Sequence, residues 1–239
     1  SPTRFPEGKG KDDWTNSNRL FLSLVAQLKG EKSNSIMSWF GQCNLLSGID
    51  SDGYENFTIK MFLEHLEGAD EAQDFFNTLQ LGFSNYSVEK VNIPKEVLEK
   101  APDPIKAELE KGLAEGKIVE STTTHNIYNE LGQVIGKRKF HKDEMESEGT
   151  KKVIELSGPI FNTLNKGKIL IIDELDAKLH PLLTRNIVLL FMDPEKNKHG
   201  AQLIFATHDT NLLDLDIIRR DQIWFAEKDQ VESTDIYSL

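Results

Sequence analysis

The sequence predicts an α/β protein, with a parallel-sheet lobe in its second half and an α-helical and β-hairpin lobe in its first. Three observations predict it. Residues 168–174, Lys-Ile-Leu-Ile-Ile-Asp-Glu, and 202–209, Gln-Leu-Ile-Phe-Ala-Thr-His-Asp, are β-forming apolar runs that stop abruptly at polar groups. Such runs are the mark of strands buried on both faces. Between them, residues 181–191 carry apolar side chains at helical spacing, which makes a strand–helix–strand unit. The chain before residue 143 shows helical stripes and one hairpin signal instead, so the boundary is placed there: residues 1–142 form one lobe and 143–239 the other.

Taken in order, residues 6–13 are Gly-, Lys- and Asp-rich and read as a loop. Asn16 or Ser17 caps a helix over about 18–29, with Leu20, Phe21, Leu24, Val25 and Leu28 on one stripe. A second helix is expected over about 34–45, using Ile36, Met37, Trp39, Phe40 and Leu45. After a turn from Gly48 to Gly53, helices follow near 57–67 and 70–80, with Phe62, Leu63, Leu66, Phe75, Phe76 and Leu79 inward. All these aromatics are at core spacing and are read as packing. Residues 86–93 suggest a strand. Pro102 and Pro104 divide the helical stretch 94–115 in two. Ile118 to Tyr128, the turn Asn129-Glu130-Leu131-Gly132 and Val134 to His141 make the hairpin. Lys137, Arg138 and Lys139 on its second strand read as a solvated face. Lys151 to Leu164 is helical at least to Leu156, with a kink expected at Gly158-Pro159. In the last helix, Leu182, Leu183, Ile187, Leu190 and Phe191 should pack on the sheet, and Pro181 marks its first turn.

Composition narrows the functional classes. With 239 residues and 38% hydrophobic content the chain can bury a substantial core. No apolar stretch reaches the roughly 20 residues of a bilayer crossing, and no secretory leader is visible. A single cysteine, Cys43, excludes an internal disulfide and fits a reducing cytoplasm; it reads as a small half-buried hydrophobe. The net charge of −11 argues against a surface built wholly to grip nucleic acid, without excluding a local basic patch. The start, Ser-Pro-Thr-Arg-Phe, lacks an initiator Met and is expected to belong to a fragment or processed chain.

The chemistry is expected at the carboxyl ends of the two apolar strands, where open α/β sheets bind ligands. Adjacent acids such as Asp173 and Glu174 divide naturally into two tasks. The first holds a magnesium ion largely through water, and the second orients and deprotonates an attacking water. His208 would stand beside them, where an imidazole can hydrogen-bond a terminal phosphate. The blander alternatives are surface acids closing a strand and a structural His. The run Glu146-Ser147-Glu148-Gly149-Thr150 leads into a helix whose N-terminal amides and dipole suit an anion; the bland alternative is a local cap by Ser147. The reaction class these residues suggest is nucleoside triphosphate hydrolysis.

In this order, these motifs resemble the ATP-binding-cassette branch of P-loop ATPases. They look most like the stand-alone bacterial AAA family ATPases related to RecF, SMC proteins and the overcoming-lysogenization-defect nucleases, which are found in abortive-infection and other phage-defence systems. The resemblance is strong over about 143–228 and looser before, where Asn18 to Gln27 and Trp39-Phe40 look like that family's helical lobe. It implies ATP and Mg2+ as cofactors, with Asp173 at the metal, Glu174 and His208 catalytic, and Ser147, Gly149, Thr150 and Asp176 at the nucleotide. It implies a head-to-tail homodimer, because the signature Ser147 and Gly149 would face the nucleotide of a second copy, and leaves room for an effector protein. Asp176 to Pro181, with its Leu-His-Pro, is similar to the D-loop. One departure stands out: no Gly-x-x-x-x-Gly-Lys-Ser/Thr occurs, and Gly8-Lys9-Gly10-Lys11 does not fit its spacing. The ATPase lobe is thus expected to be incomplete, and this chain an internal piece that binds nucleotide poorly by itself.

Two other classes stay open. A metal-dependent nuclease could use Asp173, Glu174, Asp176 and His180, although nuclease centres more often gather acids from several elements. A non-catalytic module could present the helical half as an interaction surface.

Overall fold

The computed structural model describes Glu7 and residues 20–50, 53–114 and 118–239. The loop at Gly8–Lys11, the cap at Asn16 or Ser17 and the middle of the turn before Gly53 lie outside the described residues.

The first helix, α1 (Phe21–Gln27), is followed by α2 (Glu31–Phe40). Gly30 offers α2 no capping side chain. The Glu7 carboxylate does this instead, accepting from Lys32 N at 2.7 Å and Ser33 N at 3.0 Å. The Lys32 amide is the main reason that Glu7 is held below the usual carboxylate range. The helix expected to reach residue 45 ends at Phe40. Cys43–Ser47 is a strand, β1, whose short, weakly β-forming sequence becomes extended by pairing in parallel, Cys43↔Ile169 to Ser47↔Asp173. Losing Leu45 from the helical stripe also changes the aromatics. Trp39 and Phe40 are half-exposed, packed edge-on against each other, and not in the core.

The helices α3 (Glu55–Leu63) and α4 (Ala69–Leu79) pack with β2 (Asn85–Lys90) around Phe62, Phe76, Phe83 and Tyr86, whose rings meet mostly edge to face. As the two prolines require, α5 (Lys95–Lys100) and α6 (Asp103–Ala114) are separate. Then come β3 (Val119–Tyr128) and β4 (Val134–His141), antiparallel, with β2 on the far side of β3. Because β2 pairs with β3 only as far as Thr124, the hairpin beyond that residue is two-stranded.

A short α7 (Lys142–Met145) leads to α8 (Glu148–Lys166), 19 residues long and the central helix of the molecule. It continues through Gly158-Pro159, where the sequence suggested a break. Pro159 cannot donate to the Glu155 carbonyl, but Thr58 Oγ1 on α3 donates to it at 2.5 Å. That same hydroxyl accepts from Gly158 N at 3.1 Å. The proline is thus splinted from a neighbouring helix.

The parallel sheet has the order β1–β5–β6, with β5 (Ile169–Asp173) central, β6 (Gln202–Phe205) beside it, and α9 (Pro181–Met192) crossing between them. It therefore draws strands from both sides of residue 142. Leu170 and Ile172 face the core with Ile187, Leu190 and Phe191 of α9, but Leu182 is 61% exposed and stands outside that core. At the first turn of α9 it points away because the buried stripe starts at Leu183. The opposite sheet face carries the row Leu45, Ile171 and Ile204, with Leu45 73% and Ile204 55% exposed. After two 3-10 turns, a hairpin of β7 (Trp224–Lys228) and β8 (Thr234–Ser238) ends the chain, an element that the sequence reading did not place. No helix among the described residues is long and apolar enough to cross a membrane.

Candidate functional site

Asp173 is the last residue of β5, exposed at the carboxyl end of the sheet. Its carbonyl accepts Gly48 N at 2.6 Å, so the residue after β1 is fastened to the acid pair. Glu174 follows with φ +54, a left-handed conformation that costs a non-glycine residue free energy of order 1 kcal/mol or more. The surroundings hold it there: Leu175 N donates to Ala206 O and Ala177 N to Glu174 O, each at 3.0 Å. A Cβ on Gly48 would come within 1.8 Å of the Glu174 carbonyl oxygen, so only glycine admits this approach.

His208 lies three residues beyond β6, the strand paired directly with β5. Its backbone N–H donates to Asp176 Oδ1 at 3.3 Å, which ties the loop after β5 to the end of β6. Among the described residues, no hydrogen bond joins the exposed imidazole to either Asp173 or Glu174. The end of the sheet is thus assembled by main-chain contacts, and the acid and imidazole side chains stand free on it.

The Ser147 corner meets the same loop. Ser147 is the N-cap of α8, its Oγ accepting from Thr150 N at 3.1 Å and lying 2.9 Å from Thr150 Oγ1. Lys178 Nζ is 3.6 Å from Glu148 Oε2, and a Cβ on Gly149 would lie 3.1 Å from the Lys178 carbonyl oxygen. Glu148 is held below the usual carboxylate range, first by a hydrogen bond from Lys151 and then by the nearby Lys178 charge. Residues 174–180 therefore touch both the α8 N-terminus and the His208 segment. His180, counted above as a candidate metal ligand, caps α9, its Nδ1 accepting from Leu182 N at 3.2 Å.

Beneath this end of the sheet lies a buried ionic layer that the sequence did not announce. Lys142 Nζ is 2.6 Å from Glu55 Oε1 and 3.2 Å from Glu155 Oε1. Burial disfavours its charge, but the hydrogen bond to Glu55 and the charges of Glu155, Glu55 and Asp143 outweigh this and hold the ammonium above its ordinary value. Lys152, equally buried, donates to Tyr54 OH and lies over that ring. Desolvation is the largest cause of its lowered value, opposed by Glu155. These groups join α3, α7 and α8, and so fix the platform on which the Ser147 corner sits. Gly48 and this layer are what sequence reasoning missed. A glycine after a short apolar run was the only available signal for the first, and the second has no local pattern.

A parallel α/β sheet with an acid-tipped central strand and a neighbouring strand leading to a histidine defines a mixed α/β protein of the P-loop NTPase-like class. The family model described as "AAA domain, putative AbiEii toxin, Type IV TA system" matches residues 59–214, and the chain belongs to that family. No curated protein matches the chain.

Proposed function

We propose that this chain is the acid-bearing part of a cassette-type ATPase, a nucleotide-driven homodimer switch acting in phage defence. The observation that carries the proposal is that residues 174–180 contact both the α8 N-terminus and the segment of His208, with Asp173 and Glu174 at their root. Phosphoryl transfer depends mainly on positioned charge, and this loop gives three separate stretches one common position. Asp173, a lone exposed carboxylate, suits a magnesium ion that keeps most of its water and takes its remaining ligands from phosphates. Glu174 orients and deprotonates the water, His208 holds the terminal phosphate, and Asp176 holds the loop. Ser147, Gly149 and Thr150 present the α8 amides to the nucleotide of the partner copy.

The sequence carries no Gly-x-x-x-x-Gly-Lys-Ser/Thr, so in this reading the Lys-bearing loop is supplied by additional chain. The apolar row Leu45, Ile171 and Ile204 is a surface that additional chain would cover, since parallel sheets are normally covered on both faces. The setting is the cytoplasm, with an effector protein receiving the switch. The nuclease reading is weaker because the four residues it would use do not converge. His180 caps a helix, Asp176 binds a main-chain N–H, and no group of three such side chains among the described residues is placed to hold a metal.

The test uses the natural polypeptide with its phosphate loop. Glu174→Gln should lower kcat by about a hundredfold or more, as expected for loss of a general base, while retaining ATP and accumulating dimers. Unchanged ATP turnover would remove Glu174 as the base.

A further inference from the structure

A second surface pairs two features that the nucleotide chemistry does not use. A cleft of about 470 Å3 opens between α4, α8 and α9, at the end of the sheet opposite Asp173. Its volume falls in the range of about 300–1,000 Å3 typical of specific pockets. The floor is apolar, made by Phe75, Phe161, Leu164 and Leu189. Glu67, Glu71 and Asp74 of the α4 segment form one wall, and among the described residues none of the three is ion-paired. Asp193, Glu195, Lys196, Lys198 and His199 form the opposite lip, which is mixed in charge, so that acidic groups outnumber basic ones around the cleft. Within it, Asn165 Nδ2 is buried with no hydrogen-bond partner, an orphan donor of the kind that normally finds an acceptor.

The two-stranded end of the β3–β4 hairpin has the opposite character. Ile127, Tyr128, Leu131, Val134 and Ile135 are all exposed, Leu131 by 82% and Ile135 by 65%. Apolar side chains grouped at a projecting tip signal an interaction site, where scattered ones would not. Behind them stand Lys137 and Arg138, exposed, in a chain of net charge −11. Lys139 is already paired with Glu89 at 2.6 Å, and Arg138 lies over Phe140. Glu130 is at the turn itself. The tip therefore offers apolar side chains backed by two cations, and the cleft an apolar floor under a rim in which acids outnumber bases.

We propose that the hairpin tip of one copy docks in the α4–α8–α9 cleft of a second copy. Lys137 and Arg138 meet Glu71 and Asp74, and Asn165 donates to a carbonyl of the incoming turn. The contact is heterologous, tip to cleft, so a joined pair keeps one free tip on the accepting copy and one free cleft on the donating copy, and assembly proceeds beyond two copies. It needs no nucleotide, which separates it from the dimer described above.

Sedimentation velocity on the full chain without nucleotide tests this. The wild type should form concentration-dependent oligomers at ~50 mM salt that dissociate at ~500 mM, where exposed charge pairs are screened. K137E/R138E and E71K/D74K should each be monomeric with unchanged circular dichroism, and an equimolar mixture should associate again because both contacts then join opposite charges. Leu131→Asp, at a turn residue that is 82% exposed, should weaken association about tenfold or more. A wild type monomeric throughout, charge variants that associate like the wild type, or a mixture that stays monomeric would each overturn the proposal.

Discussion

Thr58 spends both hydrogen-bonding capacities of one hydroxyl on α8, giving to the Glu155 carbonyl and taking from the Gly158 amide. Thr58→Val keeps the shape and removes both bonds, leaving a buried carbonyl and amide unpartnered. A cost of about 2 kcal/mol is expected, read as a fall in thermal midpoint of roughly 4–8 °C for a chain of this size. Gly158→Ala should be worse, because its Cβ would lie 2.4 Å from Thr58 Oγ1 and 2.9 Å from Thr58 Cα. Lys142 makes a different prediction. Its folded value is raised above 10.5, so its contribution is complete below that pH and is lost only as pH rises through the folded value. Lys142→Met leaves Glu55 and Glu155 without their cation and should cost about 3–5 kcal/mol at neutral pH. Denaturant titration at pH 7 checks this; a defect below about 1 kcal/mol would refute the ionic account.

At the scale of elements, the decisive piece is β1. Without it β5 would be an edge strand and Asp173 would lose the bond from Gly48. Gly48→Ala cannot be accommodated in place, since its Cβ would overlap the Glu174 carbonyl. The end of β1 must move away from β5. We expect faster amide exchange at Gly48 and Leu46 with the core of α3, α4 and β2 unaffected, checked by hydrogen exchange; protection equal to wild type would show that the two strand ends are independent. The α8 N-terminus is a second such element. Ser147→Ala removes its cap and should cost about 1 kcal/mol, visible as fraying of the first turn.

For the whole molecule, two separate sets of residues are proposed for two forms of self-association. The carboxyl end, with Asp173, Glu174 and His208, is assigned to a nucleotide-dependent pair. The cleft and, on the other sheet, the hairpin tip are assigned to nucleotide-independent growth. They are separable by experiment: Glu174→Gln should leave the salt-sensitive oligomers intact, and K137E/R138E should leave nucleotide-trapped dimers intact. A variant of either kind that abolished both would show that the two surfaces are coupled.

The sequence by itself determined the strands β5 and β6, the helix between them, the β3–β4 hairpin and the proline-split pair α5 and α6. Each is written in a period of two or of 3.6 residues, or in an unbroken apolar run with turn residues at its ends. It also placed the acids and the histidine at strand ends, since a polar group closing an apolar run is a local pattern. Tertiary structure alone decided that Cys43–Ser47 is a strand, because its backbone bonds are to residues more than a hundred positions away. It alone carried α8 through Pro159, by a hydroxyl from α3. It left Trp39, Phe40 and Leu182 in the open, because burial follows from which face finds a neighbour and not from spacing along the chain. Lys142 and Lys152 entered the interior for the same reason: a buried charge needs partners, and here those partners come largely from other elements.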